Sequence, residues 1–227
     1  MQRTVIFDLD GTLVDSRPDI HAALNRLMQA RGLAPFTLAE VTRFIGDGVP
    51  VLLARAFAAR GLPADPTAQP AFLADYEANA AVHTKLFGGM AAVLDGLAAE
   101  GWAMAVCTNK PEKAARLLLG ALGLDGRFAA LGGGDSFPVR KPDPAHVLAT
   151  LAAAGGTPGA AVMVGDHHND IAAGRAAGVP VVYCGWGYGL PEMAEGAPVA
   201  DSPAALPALL RQALAAPRPQ AGPSSSR

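Results

Sequence analysis

The sequence predicts an α/β fold: a doubly wound parallel sheet with a helical domain inserted after the first strand. Three observations carry this. Short unbroken apolar runs recur, each ending in small or acidic residues: "TVIFD" (4–8), "WAMAVCT" (102–108), "AAVMVGD" (160–166) and "PVVYC" (180–184). Such runs mark strands buried on both faces, as in a parallel sheet covered by helices. From residue 90 onward helical patterns separate these runs, and that alternation implies double winding. Between residues 17 and 82 the alternation stops and only helical periodicity remains.

The first strand runs directly into Asp8, Leu9, Asp10, Gly11 and Thr12. The helical segment opens with "RPDIHAALNRLMQARG" (17–32), where Ile20, Ala23, Leu24, Leu27 and Met28 form one apolar stripe. "TLAEVTRFIG" (37–46) starts at Thr37 and places Glu40 three residues later, a capping box. "GVPVLLARAFAARG" (48–61) and "PAFLADYEANAA" (70–81) are two further amphipathic helices. The expected limits are 17–82 for this helical domain and 1–16 with 83–214 for the sheet, with hinges near Ser16–Arg17 and His83–Leu86. "MAAVLDGLAAEG" (90–101) precedes the second strand. "KPEKAARLLLGALG" (110–123) follows it, with Pro111 suited to the first helical turn and Gly123 to the C-terminal cap. "RFAAL" (127–131) is a weaker third strand, and helices over 144–156 and 169–178 flank the fourth. The segment 215–227 is Pro, Ser and Gly without periodicity, the composition of a disordered tail.

Composition removes several function classes. With 18 Lys and Arg against 20 Asp and Glu, the net charge of −2 implies no basic face for nucleic acid. No run approaches the roughly 20 apolar residues of a membrane span. The start, "MQRTVIFDLDG", lacks a signal peptide's apolar region and cleavage site. Two cysteines, Cys107 and Cys184, argue against a disulfide framework. The expectation is a cytoplasmic protein without nucleic-acid or membrane partners; its oligomeric state is not encoded in any pattern here.

The informative residues fall at the carboxyl ends of the predicted strands, where open α/β sheets bind ligands. Asp8 and Asp10 end the first; Thr108, Asn109 and Lys110 end the second; Lys141 follows the third; Asp166 and Asp170 end the fourth. Two carboxylates this close repel unless something positive sits between them. Three carboxylates can hold one Mg²⁺, which removes that repulsion and takes a phosphate oxygen. One aspartate can then attack phosphorus while a second carboxylate protonates the leaving alkoxide and later activates water. A lysine, a hydroxyl and the N-terminus of the helix after the second strand complete a phosphate-binding set.

Four segments, "DLDGTLVDS", "CTNK", "RKPDP" and "GDHHND", resemble the motifs of the haloacid dehalogenase (HAD) superfamily, in order and over nearly the whole chain. The resemblance implies a Rossmann-type core and a movable helical cap. It implies Asp8 as nucleophile, Asp10 as general acid/base, Thr108 on phosphate, and Lys141 on both nucleophile and phosphate; Asn109, beside Thr108, is a candidate substrate contact. It implies Mg²⁺ on Asp8, Asp166 and the backbone carbonyl of Asp10, with Asp170 orienting the metal shell. Its strand order puts Cys107 and Cys184 three steps apart, about 14 Å, too far for a disulfide.

Within the superfamily, "RFIGDGVPVLLARAF", "HTKLFGGM", "TNKPEKAARLLL", "GGDSFPVRKPDPAHVL" and "GWGYG" are similar to the bacterial phosphoglycolate phosphatase branch. That implies hydrolysis of a small phosphate ester, 2-phosphoglycolate first. A sugar phosphate, an N-acetylmuramate phosphate, a phosphomutase reaction and a non-catalytic binding role are the alternatives. The "RFIGDG" turn offers Arg43 and the N–H groups around Gly46 and Gly48 to a substrate carboxylate, provided Asp47 points away. His167–His168 departs from the branch's usual pattern and reads as an exposed loop pair; His21 and His146 read as ordinary helix residues.

Overall fold

The structure, a computed structural model, describes residues 1–124 and 126–216. Strand β1 (Thr4–Phe7) lies at the centre of a six-stranded sheet and leads to a two-residue strand, β2 (Val14–Asp15). Four helices follow: α1 (Arg17–Ala30), α2 (Leu38–Thr42), α3 (Val49–Ala58) and α4 (Ala68–Ala78). The chain returns through β3 (Lys85–Leu86), antiparallel to β2. It then alternates through α5 (Met90–Ala99), β4 (Ala103–Cys107), α6 (Glu112–Ala121), β5 (Ala130–Gly132), α7 (Pro144–Ala153), β6 (Ala161–Gly165), α8 (His168–Ala176) and β7 (Val181–Cys184). A short edge strand, β8 (Val199–Ala200), and α9 (Leu206–Ala215) close it. The sheet order is β5-β4-β1-β6-β7-β8 and every pairing is parallel.

Two-sided burial explains the apolar runs. On β1, Val5 and Phe7 enter one core with α5 and α9, while Ile6 enters the opposite core with α7 and α8. Val162 and Val164 against Ala161 and Met163 repeat the alternation on β6. Cys107 and Cys184 are free and belong to opposite faces of the sheet, on strands separated by β1 and β6.

The four helices build a third cluster. Leu24 and Met28 of α1, Leu53 and Phe57 of α3, and Phe72 and Tyr76 of α4 meet there. Burying each such leucine or phenylalanine is worth about 1.5–3 kcal/mol. The capping box of α2 is present, with Thr37 N–H on Glu40 (2.7 Å) and Glu40 N–H on Thr37 Oγ1 (3.3 Å). Where the insert rejoins the sheet, buried Asp19 accepts the N–H groups of His83 and Thr84.

Some elements differ from expectation. The third strand starts later than "RFAAL", because Arg127 N–H still closes a turn on the Leu124 carbonyl (3.2 Å). Pro111 precedes α6 as its cap residue and does not enter the first turn. β8, only two residues long, carries too little pattern to be read. Of the expected tail, Ala215 ends α9, and residues 217–227 lie outside the described residues.

Candidate active site

The carboxyl ends of β1, β4 and β6 converge on one buried cluster. Lys141 Nζ donates to Asp8 Oδ1 (2.9 Å), Asp170 Oδ1 (2.6 Å) and the Cys107 carbonyl (2.6 Å), which uses all its protons. Among the described residues Asp166 accepts from neutral donors alone: Thr12 Oγ1 (2.8 Å) and the Tyr188 N–H (2.7 Å). Asp8, Asp166 and Asp170 each bring a carboxylate oxygen within 4.8 Å of the others, and all are buried. Gly11 makes this approach feasible. It sits at φ 92°, and a Cβ there would overlap the Asp166 carboxylate.

Three buried carboxylates against one ammonium leave excess negative charge. Burial pushes Asp8 up to about 6, with Lys141 pulling down and Asp170 pushing up. Asp166 rises to about 8, from burial and then repulsion by Asp8 and Asp170. Burial works against the Lys141 charge, yet Asp170 and Asp8 hold its ammonium above the usual lysine range. Hard oxygen donors in surplus suit a divalent cation, and the residues fit one.

That surplus has a measurable consequence. A carboxyl with a raised folded pKa takes up protons on folding, so stability falls as pH climbs from its unfolded to its folded value. For Asp166 that window runs from 3.8 to about 8. Metal-free protein is expected to lose thermal stability between about pH 5 and pH 8, and Asp166→Asn to remove much of the loss. In calorimetry with chelator, the variant's midpoint at pH 8 should exceed wild type by roughly 3–6 °C. An unchanged pH slope would contradict this electrostatic account.

Asp10 stands outside the carboxylate cluster. Both its oxygens accept from Lys110 Nζ (3.1 Å each), and Oδ1 also accepts from Ser16 Oγ (2.5 Å). Thr108 Oγ1 accepts the Lys110 N–H (3.2 Å), and its own proton has no acceptor among the described residues. The expected helix N-terminus is partly committed elsewhere, since Glu112 N–H donates to Asp135 (2.7 Å).

The insert closes over this site through the turn at 45–48. The Gly46 carbonyl accepts from Asn109 Nδ2 (3.1 Å) and Asn169 Nδ2 (3.3 Å), and Asp47 Oδ1 accepts from Asn169 Nδ2 (2.7 Å). A Cβ on Gly46, at φ 123°, would overlap the His167 ring. A pocket lies beneath, lined by Asp8, Asp10, Thr108, Lys110 and the apolar inner face of the insert.

A family model described as haloacid dehalogenase-like hydrolase matches residues 2–178. The chain is a haloacid dehalogenase-like hydrolase. A phosphoglycolate phosphatase of Cereibacter sphaeroides is 49% identical over 188 residues, 81% of this chain and 85% of the relative. One of Rhodospirillum rubrum is 46% identical over 196 residues, 83% of this chain and 81% of the relative. A crystal structure described as a predicted phosphoglycolate phosphatase, from Haemophilus somnus 129PT, is 31% identical with TM-score 0.83, covering 92% of this chain and 97% of its own.

In this hydrolase Asp8, Lys141, Asp166 and Asp170 meet in one cluster, and Asp8, Asp10 and Thr108 line the adjoining pocket. Gly46 and Gly48 both line the pocket, and the Gly46 carbonyl accepts from the Asn109 and Asn169 amides. Two site expectations change. Arg43 is exposed and does not line the pocket. Asn109 spends both amide protons tying the insert turn to the Lys141 carbonyl (3.0 Å).

His167 is half-buried and caps α8, accepting the Asn169 N–H on Nδ1 (3.4 Å), so it is not an exposed loop residue. Asp47 does not cap α3; it pairs with Arg55 (2.6 Å). His146, fully buried, accepts the Lys141 backbone N–H on Nδ1 (3.1 Å) and so positions that lysine's loop. Sequence reasoning misses Thr12, Ser16 and Tyr188 and places Lys110 at a strand end without a role; the repeated glycines of "GWGYG" are the signal that backbone approaches Asp166 there. No helix among the described residues is long and apolar enough to cross a membrane.

Proposed function

We propose that this hydrolase is a Mg²⁺-dependent phosphatase that cleaves small phosphate monoesters through an aspartyl phosphate on Asp8, with 2-phosphoglycolate as its substrate. The observation that carries the reading is the division of the carboxylates. One set, Asp8, Asp166 and Asp170, shares Lys141, and a second, Asp10, stands apart on Lys110.

Asp8, Asp166 and the Asp10 carbonyl would hold the cation, with Asp170 orienting its shell. When bound, Mg²⁺ supplies positive charge that screens the phosphate from the attacking carboxylate. Lys141 keeps Asp8 ionised and aimed, and neutralises a phosphoryl oxygen. The Thr108 hydroxyl donates to another. Asp10 enters the reaction protonated; Asp8 attacks phosphorus, and Asp10 gives that proton to the departing alkoxide. Asp10 then takes a proton from water, which attacks the aspartyl phosphate and frees Asp8. The helical insert acts as a cap on the β2–β3 connection, and the Gly46 contacts with Asn109 and Asn169 hold it shut and exclude water.

Substrate choice follows from the pocket lining. Ile45, Val49, Leu52, Phe72 and Leu73 offer no partners to sugar hydroxyls. That lining favours a short ester over a hexose phosphate, and the names of the relatives above point the same way.

Phosphate release from a panel of monoesters tests this. Expected are the highest kcat/KM on 2-phosphoglycolate, loss of turnover with chelator and recovery with Mg²⁺. A hexose phosphate preferred over 2-phosphoglycolate would overturn the substrate. Full turnover in metal-free buffer would overturn the mechanism.

A further inference from the structure

We propose that Lys110 and Tyr76 form the subsite for the substrate's carboxylate, a role that rests on the phosphatase reading above and replaces the expected contribution of Arg43. Lys110 is buried and is the one cationic side chain among the described residues that line the pocket. Its ammonium donates to both Asp10 oxygens (3.1 Å) and to Tyr76 Oη (2.9 Å), and stands 4.3 Å from the Tyr76 ring centroid. The phenol accepts from Lys110, so its own proton has no acceptor among the described residues. Phe72 fixes that ring by stacking on it, with centroids 5.9 Å apart and planes 10° from parallel. An ammonium and an O–H therefore line the same pocket, between Asp8, Asp10, Thr108 and Asn109 on one side and the apolar face of the insert on the other.

The spacing suits a carboxylate close to the scissile bond. Asp10 serves the ester oxygen, and Lys110 sits one hydrogen bond beyond Asp10. In 2-phosphoglycolate a single methylene separates the ester oxygen from the carboxylate carbon, so the carboxylate arrives beside Lys110. Without that cation the substrate's carboxylate would lie desolvated in the pocket with no counter-charge, which burial penalises. Lys110 belongs to the core and Tyr76 to α4 of the insert. The subsite is complete only with the insert seated, so a carboxylate in it favours closure over the bond to be cleaved.

The test compares 2-phosphoglycolate with 2-hydroxyethyl phosphate, an analogue of similar size with a neutral hydroxymethyl group in place of the carboxylate, in wild type, Lys110→Met and Tyr76→Phe, with folding checked by circular dichroism. Lys110→Met should lower kcat/KM on 2-phosphoglycolate roughly 10–100-fold more than on the analogue. Tyr76→Phe should act in the same direction, chiefly through KM. Calorimetric binding of 2-phosphoglycolate to Asp8→Asn, with and without Lys110→Met, reads the subsite without turnover and should show the same loss. Equal losses on both esters, or binding unaffected by Lys110→Met, overturns the subsite. A wild type that hydrolyses both esters equally, while Lys110→Met still weakens 2-phosphoglycolate binding, overturns the substrate assignment and leaves the subsite standing.

Discussion

Asp8→Asn abolishes phosphate release, with an expected loss in kcat of at least about 10⁴-fold, the scale on which removal of a covalent nucleophile acts. The substitution keeps the shape of the side chain and removes its nucleophilic oxygen. The amide presents no charge to phosphorus and forms no acyl phosphate. The fold should survive. Lys141 keeps Asp170 and the Cys107 carbonyl as acceptors (2.6 Å each), and the Asp8 N–H still pairs with the Val164 carbonyl (2.9 Å). Burial already pushes this carboxyl up to about 6, so taking its charge away relieves repulsion in the metal-free cluster. Single-turnover assays with trapping of the aspartyl phosphate provide the measurement. Wild type should accumulate label on Asp8 and the variant none. Turnover within tenfold of wild type, after contaminating phosphatases are excluded, would remove Asp8 from the mechanism.

What the sequence makes legible here is what one strand and its end can express. Residues Val5–Phe7 and Val162–Val164 are apolar without interruption because both faces of the sheet are covered, and the acidic residues after them stand out by contrast. Asp8 and Asp166 are readable for that reason, whereas Lys141, well beyond the end of β5, is legible through the "RKPDP" motif. Contacts made across long separations are not. Thr12 reaches Asp166, Ser16 bonds to both Asp10 and Tyr188, and Tyr76 joins Lys110, each pairing carrying no local periodicity. The turn at 43–48 shows the limit most directly. Its composition suggests donors to a carboxylate, but the chain passes Gly46 at φ 123° and presents the carbonyl to Asn109 and Asn169. Arg43 then falls on the outside. Backbone direction, invisible in residue type, decides both outcomes.

The largest effect on stability is expected from Lys141→Met. Methionine fills most of the stem's volume and removes the one ammonium among the described residues that touches Asp8 and Asp170. Breaking a buried ion pair from one side typically costs about 3–5 kcal/mol. A domain has about 5–15 kcal/mol in all, so the loss is a large fraction. Its pH dependence separates this cause from poor packing. The ammonium's folded pKa lies above the usual range, so its contribution is fully present throughout about pH 5–8 and adds no slope there. The carboxylates do. With Lys141 gone, the charges that lower the Asp8 pKa are lost, and Asp8 rises above its wild-type value of about 6. A higher folded pKa means more protons bound in the folded state, so the variant's stability falls more steeply as pH rises. The deficit relative to wild type should be greatest near pH 8 and shrink toward pH 5. Urea denaturation of both proteins in chelator at the two pH values measures it. A deficit that does not change with pH would assign the effect to packing of the stem, and equal stability at pH 8 would show that Lys141 does not hold this cluster together.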